Sequence, residues 1–518
     1  MENQNIYPFS KIIGKVSVPS SNSLISKTGW NSLSSISSLI GRLLVQIMIA
    51  RLLGPDGMGR IAYLIWLIEI VNLATNFGLS SSLTRFLADL HGRDQTSQAI
   101  NFASWIYIRF IGMSVVGTMM IGIIFPVLPR FHQDHSELPI LMMLFLAFGM
   151  QSINQSNLAG NQRFDILARI NITSTITLVL GILVGGYFLG ETGVLIGYLI
   201  GSLYPAACSL SMLRSPWTGI ALEPSLRRRI VKFSFYTWIS MLVSAFVWSR
   251  MEIFFLERYW NIHEVATFTI GLTFVALIQQ VASLFSGALL AHFSGMVGEG
   301  NKLRMQRHYS MTIKLLAIVV FPLSLFCAAT VPLMLPLIFG AAYSYAIPTT
   351  MLLTASSVLA FSTVVSSLLY AHEDSRFIAV SGALAAVLAI SSGISVIAEY
   401  GIWGAIWTRF LLQSGLFFNG VIYLKRKRGY DTPYTDLIPA LFSAAVSATL
   451  IWSIVDLWRR PESILVAIPA GVVLYAAFLK YFSLIQATEA RTLELMSSKL
   501  WSPVARPLTK TIRWIANT

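Results

Sequence analysis

Arg42, Arg109, Arg250, Lys314 and Arg409 stand inside otherwise apolar runs of this chain, and Glu69 and Glu252 stand in similar runs as acids. A guanidinium inside an apolar segment is suited to hold an anion, because its fork of N–H donors matches phosphate and carboxylate oxygens. A carboxylate in the same setting serves either as a counter-ion or as a proton carrier. A basic residue at mid-span costs about 2.5 to 3.5 kcal/mol on insertion scales, so it faces a wet cavity or a partner. The candidate anion contacts are therefore Arg42, Arg109, Arg409 and Arg250, with Glu69 and Glu252 as coupling groups or counter-ions.

Polar neighbours follow helical spacing around two of these charges. Asn31, Ser34, Ser35, Ser38, Arg42 and Gln46 lie on one face of the first run, and Asn72 and Asn76 follow Glu69 at i+3 and i+7. Asn31, Ser38, Asn72, Asn76 and Gln413 are candidate cavity-lining residues. The serines taken alone read as helix–helix contacts, and Glu69 reads equally as the partner of Arg42. Glu252 is two residues after Arg250, about 200° around a helix, so these two do not share a cavity. Arg250 and Lys314 are within snorkelling reach of an interface. His292 and His372 read as loop charge, and Trp260, Trp403 and Tyr423 as an interfacial aromatic belt.

The elements that must carry these residues are membrane spans. The chain has 518 residues, 55% apolar and only 12% charged, against ~25% charged in soluble domains; its mean hydropathy is +0.68. Apolar runs long enough to cross a bilayer recur from residue 28 to residue 483, which predicts an all-α polytopic protein of fourteen spans. A net charge of +14 fits the positive-inside rule rather than nucleic acid. Basic residues concentrate in alternate loops, which places both termini in the cytoplasm. Residues 1–27 lack a short apolar core with a cleavage site, so no removable signal is expected. Cys208 and Cys327 both fall in apolar runs and offer neither a disulfide framework nor metal-ligand spacing.

The organisation read from these runs is an N-terminal arm (1–27), a first six-span lobe (28–213), a basic linker (214–232), a second six-span lobe (233–424), a basic loop (425–433), two further spans (434–483) and an interfacial cytoplasmic tail (484–518). A weak internal repeat relates the lobes. Arg51 overlies Arg258, Phe86 overlies Phe293, and Glu191-x-Gly193 overlies Glu399-x-Gly401. Both copies have the same orientation, so the expected pseudo-two-fold runs along the membrane normal. Gly298-Glu-Gly-Asn-Lys302 is the nearest approach to a phosphate loop and lacks its spacing. With no HExxH or CxxC pair either, no enzyme activity, cofactor or metal is expected.

Ala50-Arg-Leu-Leu-Gly-Pro-Asp-Gly-Met-Gly-Arg-Ile-Ala-Tyr63, followed by Phe77-Gly-Leu-Ser-Ser-Ser-Leu-Thr-Arg-Phe86, resembles the start of the polysaccharide biosynthesis or O-antigen flippase family, within the multidrug/oligosaccharidyl-lipid/polysaccharide exporter superfamily. The specific motif is confined to this hairpin, and Arg60 stands where members usually have an aromatic. The resemblance implies two six-helix bundles around a central cavity and alternating-access export of a polyprenyl-diphosphate-linked oligosaccharide across the plasma membrane. It also implies a monomer, with a glycan polymerase or glycosyltransferases as candidate partners. A lipid II flippase, a multidrug antiporter and a non-transporting scaffold of glycan assembly are the alternatives. An antiporter is expected to hold carboxylates and few cations in its first lobe, whereas here Glu69 is the one clear mid-span acid of that lobe against the cations Arg42 and Arg109.

Overall fold

Apolar runs this long satisfy their backbone groups internally only as helices, and every regular element among the described residues is helical. The computed structural model describes residues 21–93, 95–127, 137–212, 222–248, 251–299, 301–372 and 374–485. Arg250, the arm up to residue 20 and the tail beyond residue 485 lie outside the described residues. The helices are α1 (Ser21–Asn76), α2 (Leu79–Gly92), α3 (Thr96–Val127), α4 (Leu138–Gly160), α5 (Phe164–Met212), α6 (Pro224–Trp248), α7 (Glu252–Tyr259), α8 (Ile262–Glu299), α9 (Lys302–Phe339), α10 (Ile347–Ser356), α11 (Thr363–Ala371), α12 (Ser375–Ser392), α13 (Ala398–Tyr423), α14 (Tyr434–Trp458) and α15 (Ser463–Tyr481). Ten stretches are long and apolar enough to cross a membrane. Three of them contain a non-helical glycine that divides them in two, Gly54, Gly190 and Gly401. That makes thirteen, and the α6–α7 stretch, taken as one further span, brings the number to the fourteen expected.

Two of those glycine turns share one geometry. Gly190 has φ 59° and ψ −132°, and Gly401 has φ 57° and ψ −133°, a left-handed region that glycine enters without steric cost. Three residues on, Gly193 packs on the backbone of Gly185, and Gly404 packs in the same way on Val396. In local geometry Gly190 corresponds to Gly401 and Gly193 to Gly404, whereas matching the glutamates in sequence sets Gly193 against Gly401.

The chain forms two compact units. The first comprises Leu64–Leu242 with the chain up to Leu53. Its cluster of Leu83, Phe86, Leu87, Phe102, Ile106, Phe110, Ile153 and Ile230 draws on α2, α3, α4 and α6. Residues 224–232, read from sequence as linker, are the helical start of α6. Between α1 and α2 the chain breaks at Phe77 and Gly78, whose φ values are 51° and 72°. A Cβ on Gly78 would overlap the Ser234 carbonyl, so both its dihedral and its packing require glycine. Trp238 of α6 stacks on Phe77 with centroids 4.2 Å apart, and its Nε1 donates to the Leu73 and Ala74 carbonyls at 3.1 Å each. These are carbonyls that the end of α1 leaves without helical partners.

The second unit comprises Gly54–Tyr63 and the chain from Val243. The Gly54–Tyr63 segment packs on the start of α8, where Gly59 meets the Ile262 carbonyl and Asp56 lies 3.6 Å from His263. Here again an indole caps a helix break, since Trp260 Nε1 donates to the Ile397 and Ala398 carbonyls at 2.9 and 3.2 Å. The α14–α15 pair is fastened to α9. Lys314, 3% exposed, meets Asp436 at 3.6 Å, and the Tyr475 hydroxyl donates to the Ile318 carbonyl at 2.9 Å.

Candidate functional site

The first unit presents its charges where the helix contacts direct them. Gly41 is buried against Thr175 of α5, and this close approach turns the next residue, Arg42, to an exposed position. Among the described residues no carboxylate forms an ion pair with Arg42. Ser38 and Gln46 are half-buried on the same helix, and Asn31 lies in its first turns, with its side chain outside the described residues. Glu69 is also exposed. Arg42 and Glu69 sit at similar depths, about 18 and 22 Å of helix from Gly54 at 1.5 Å per residue.

Below Glu69 the polar stripe continues through hydrogen bonds. Asn72 Nδ2 donates to the Phe145 carbonyl at 3.4 Å. Asn76 closes the break after α1, donating from Nδ2 to Ser80 Oγ at 2.8 Å and accepting at Oδ1 from the Ser80 amide at 3.2 Å. Ser80 Oγ then lies 3.3 Å from Ser152 Oγ of α4. Thr84 donates to the Ser156 carbonyl at 3.1 Å, Asn154 to the Pro205 carbonyl at 3.1 Å, and Gln155 to Asn171 Oδ1 at 3.2 Å. The α4 residues were not among the sequence candidates. Their signal is the run Gln151-Ser-Ile-Asn-Gln-Ser-Asn157, polar at every position but Ile153 yet embedded in a span.

Arg109 is placed differently. It is half-buried, its guanidinium sits 3.5 Å from the Trp105 ring centroid, and Nη1 donates to the Trp105 carbonyl at 3.2 Å.

In the second unit the candidates converge. Arg409 of α13 is 5% exposed and its Nη1 lies 3.2 Å from Oε1 of Glu252, itself 8% exposed at the first position of α7. The pair joins residues far apart in sequence, and no spacing rule connects them. Glu252 Oε2 and Gln413 Nε2 are buried without a hydrogen-bond partner among the described residues. Glu252 also lines a narrow cavity with Met251, Phe255, Thr408 and Leu412. Chemically this is a neutralised ion pair with spare hydrogen-bonding capacity, and it contrasts with the exposed Arg42 of the first unit. Among the described residues no group of His, Cys, Asp and Glu is arranged to hold a metal ion.

On the loop side of the second unit, Asp374 is gripped by Arg428, whose Nη2 and Nε donate at 2.6 and 3.0 Å, and by the Tyr423 hydroxyl at 3.1 Å. Burial opposes the Asp374 charge, but these donors outweigh it and hold the carboxyl below its usual range. Burial, helped by Arg428, pushes the neighbouring His372 below the usual imidazole range. Tyr423 thus has a specific partner for its hydroxyl.

A family model described as polysaccharide biosynthesis protein matches residues 48–348. No curated protein sequence matches the chain. Among solved structures the fold is similar to that of lipid II flippase MurJ in an inward closed conformation, at 14% identity and a TM-score of 0.68, covering 87% of this chain and 98% of that one. It is also similar to an inward-facing multidrug resistance MATE family transporter of the MOP superfamily, at 14% identity and a TM-score of 0.62, covering 81% and 98%. A MOP superfamily transporter from Pyrococcus furiosus follows at 17% identity and a TM-score of 0.51, covering 77% and 97%.

Proposed function

The chain belongs to the polysaccharide biosynthesis protein family, and from that membership we propose that it is a flippase, moving a polyprenyl-diphosphate-linked oligosaccharide from the cytoplasmic to the outer leaflet of the plasma membrane. The observation that carries this reading is the exposure of Arg42 and Glu69 within apolar helix. Charges at that depth are not tolerated against hydrocarbon, so they line a water-filled path. A diphosphate and its sugars need such a path, and their prenyl tail does not.

Arg42 is the headgroup contact in this mechanism, and Glu69 tunes its charge or carries a coupling proton. Arg409, buried against Glu252, contributes to the path only when that pair opens. Export of two negative charges is favoured by an inside-negative potential, at ~2.3 kcal/mol per charge per 100 mV. Both termini are cytoplasmic, the protein acts as a monomer, and a glycan polymerase or glycosyltransferases are its partners in the assembly line.

Deleting the protein in its host and analysing lipid-linked glycans tests the proposal. A lipid-linked oligosaccharide trapped on the cytoplasmic leaflet is expected, and the Arg42→Gln variant fails to relieve it. Unchanged surface glycan after deletion overturns the reading. Accumulation of lipid II instead assigns the same diphosphate chemistry to a different cargo.

A further inference from the structure

The rim of the α2, α3 and α6 cluster carries more positive charge than it neutralises. Arg85, Arg227, Arg228, Arg229 and Lys232 are exposed there, and Arg109 is half-buried. Asp89 is already engaged, by Arg93 at 3.1 Å and by Arg229 at 3.9 Å. Among the described residues no carboxylate pairs with Arg109, Arg227 or Arg85. Trp105, on which Arg109 lies, and Leu226, next to Arg227, pack against the same apolar cluster, which brings the two guanidinium groups to one rim. Two guanidinium groups held together without an acid call for an anion from outside the chain, because a shared phosphate turns the repulsion into two charge-assisted contacts.

The arginines are held ready for one. The Arg109 guanidinium lies on Trp105 and the Arg85 guanidinium lies 4.3 Å from the Phe233 ring centroid. Stacking of this kind fixes the plane and leaves the edge N–H groups available. Trp105 and Phe233 both pack against the same apolar cluster, so the rim is anchored from beneath.

What adjoins the charge narrows the ligand. Beside Arg109 and beyond it at helical spacing, α3 exposes Ile108, Val115, Val116, Met119 and Ile123, the last two 62% and 69% exposed. Beside Lys232, α6 exposes Val231, Phe235 and Ile239. A ligand with a phosphate head and a hydrocarbon tail fits both features. Sugars extending from the phosphate would find few polar partners along these apolar stripes.

We propose that Arg109 and Arg227 bind the phosphate of an anionic phospholipid in the leaflet on the side of the basic loops, with an acyl chain along the exposed stripe of α3. Arg85 extends the site on the α2 side. The bound lipid ties α6 to α3, so the seventh span is secured by the membrane as well as by protein contacts.

The test uses the full chain in nanodiscs of phosphatidylcholine with or without phosphatidylglycerol, with retained lipid counted by native mass spectrometry after extraction. The wild type is expected to retain phosphatidylglycerol in preference to phosphatidylcholine. Arg227→Gln, a change at an exposed first-turn position, is expected to lower that retention about fivefold, equivalent to the ~1 kcal/mol of a basic residue near an anionic surface. Adding Arg109→Gln lowers it further, whereas Arg459→Gln with Arg460→Gln, in the turn after α14, leaves it unchanged. Equal retention in Arg227→Gln and wild type overturns the proposal, as does a wild type that shows no preference. Displacement of phosphatidylglycerol by a stoichiometric polyprenyl diphosphate overturns it too, by assigning the site to the transported cargo.

Discussion

Breaking the buried Arg409–Glu252 pair separates a structural from a transport role. Arg409→Met leaves the Glu252 carboxylate, 8% exposed, without the guanidinium that lies 3.2 Å from it, and Glu252→Gln leaves the Arg409 guanidinium facing a neutral amide. Loss of one member of a buried pair costs about 3–5 kcal/mol, because the survivor keeps its desolvation penalty. Removing both together is close to neutral for the same reason, so the double variant returns most of what the single variants lose. The measurement is thermal unfolding of the purified chain in detergent for the wild type, both single variants and the double, paired with glycan export in a deletion host. Single variants are expected to melt several degrees below wild type, and the double near it. If Arg409 acts only through Glu252, export recovers with stability. If it also contacts the diphosphate, the double variant is stable and export stays low. An Arg409→Met protein that melts with the wild type refutes the reasoning, since no uncompensated buried charge is then present.

Gly78→Ala is expected to destabilise by about 1–3 kcal/mol, because alanine at φ 72° is strained and its Cβ meets the Ser234 carbonyl; an unchanged melting temperature contradicts the described break. Asp436→Asn removes the Asp436 carboxylate 3.6 Å from the 3%-exposed Lys314 and is expected to raise hydrogen exchange in α14 and α15 before it affects the first unit. His372 has a folded pKa below its unfolded value. The unfolded chain therefore binds the extra proton, and stability is lost as pH falls below about 6.5. Asp374, whose carboxyl is also held low, adds a second loss at more acidic pH as it protonates. In a stability-versus-pH series, His372→Asn is expected to flatten the first of these declines and leave the second; two unaltered declines contradict the assignment.

Span count and helix type were legible because continuous apolar runs leave the backbone few alternatives in a bilayer. So was the placement of charge inside those spans. Pairing was not legible, since Arg409 and Glu252 meet through tertiary packing that a periodicity argument along one helix does not see. Trp238 and Trp260 show the same limit. Neither position in the sequence reveals the interrupted helix end that its indole N–H caps. The polar run of α4 was visible in sequence but carries no charge, and charge was the feature that drew attention to the other spans.

The glycine turn at Gly401 also sets a rotational phase. Arg409 lies about two helical turns beyond it, and one residue inserted between Gly401 and Gly404 would rotate every later side chain of α13 by about 100° relative to what precedes it. Arg409 would then point away from Glu252 although neither residue had changed. The hairpin acts as an index mark for the helix that follows it, and the position of the buried charge is written as much in that turn as in the arginine itself.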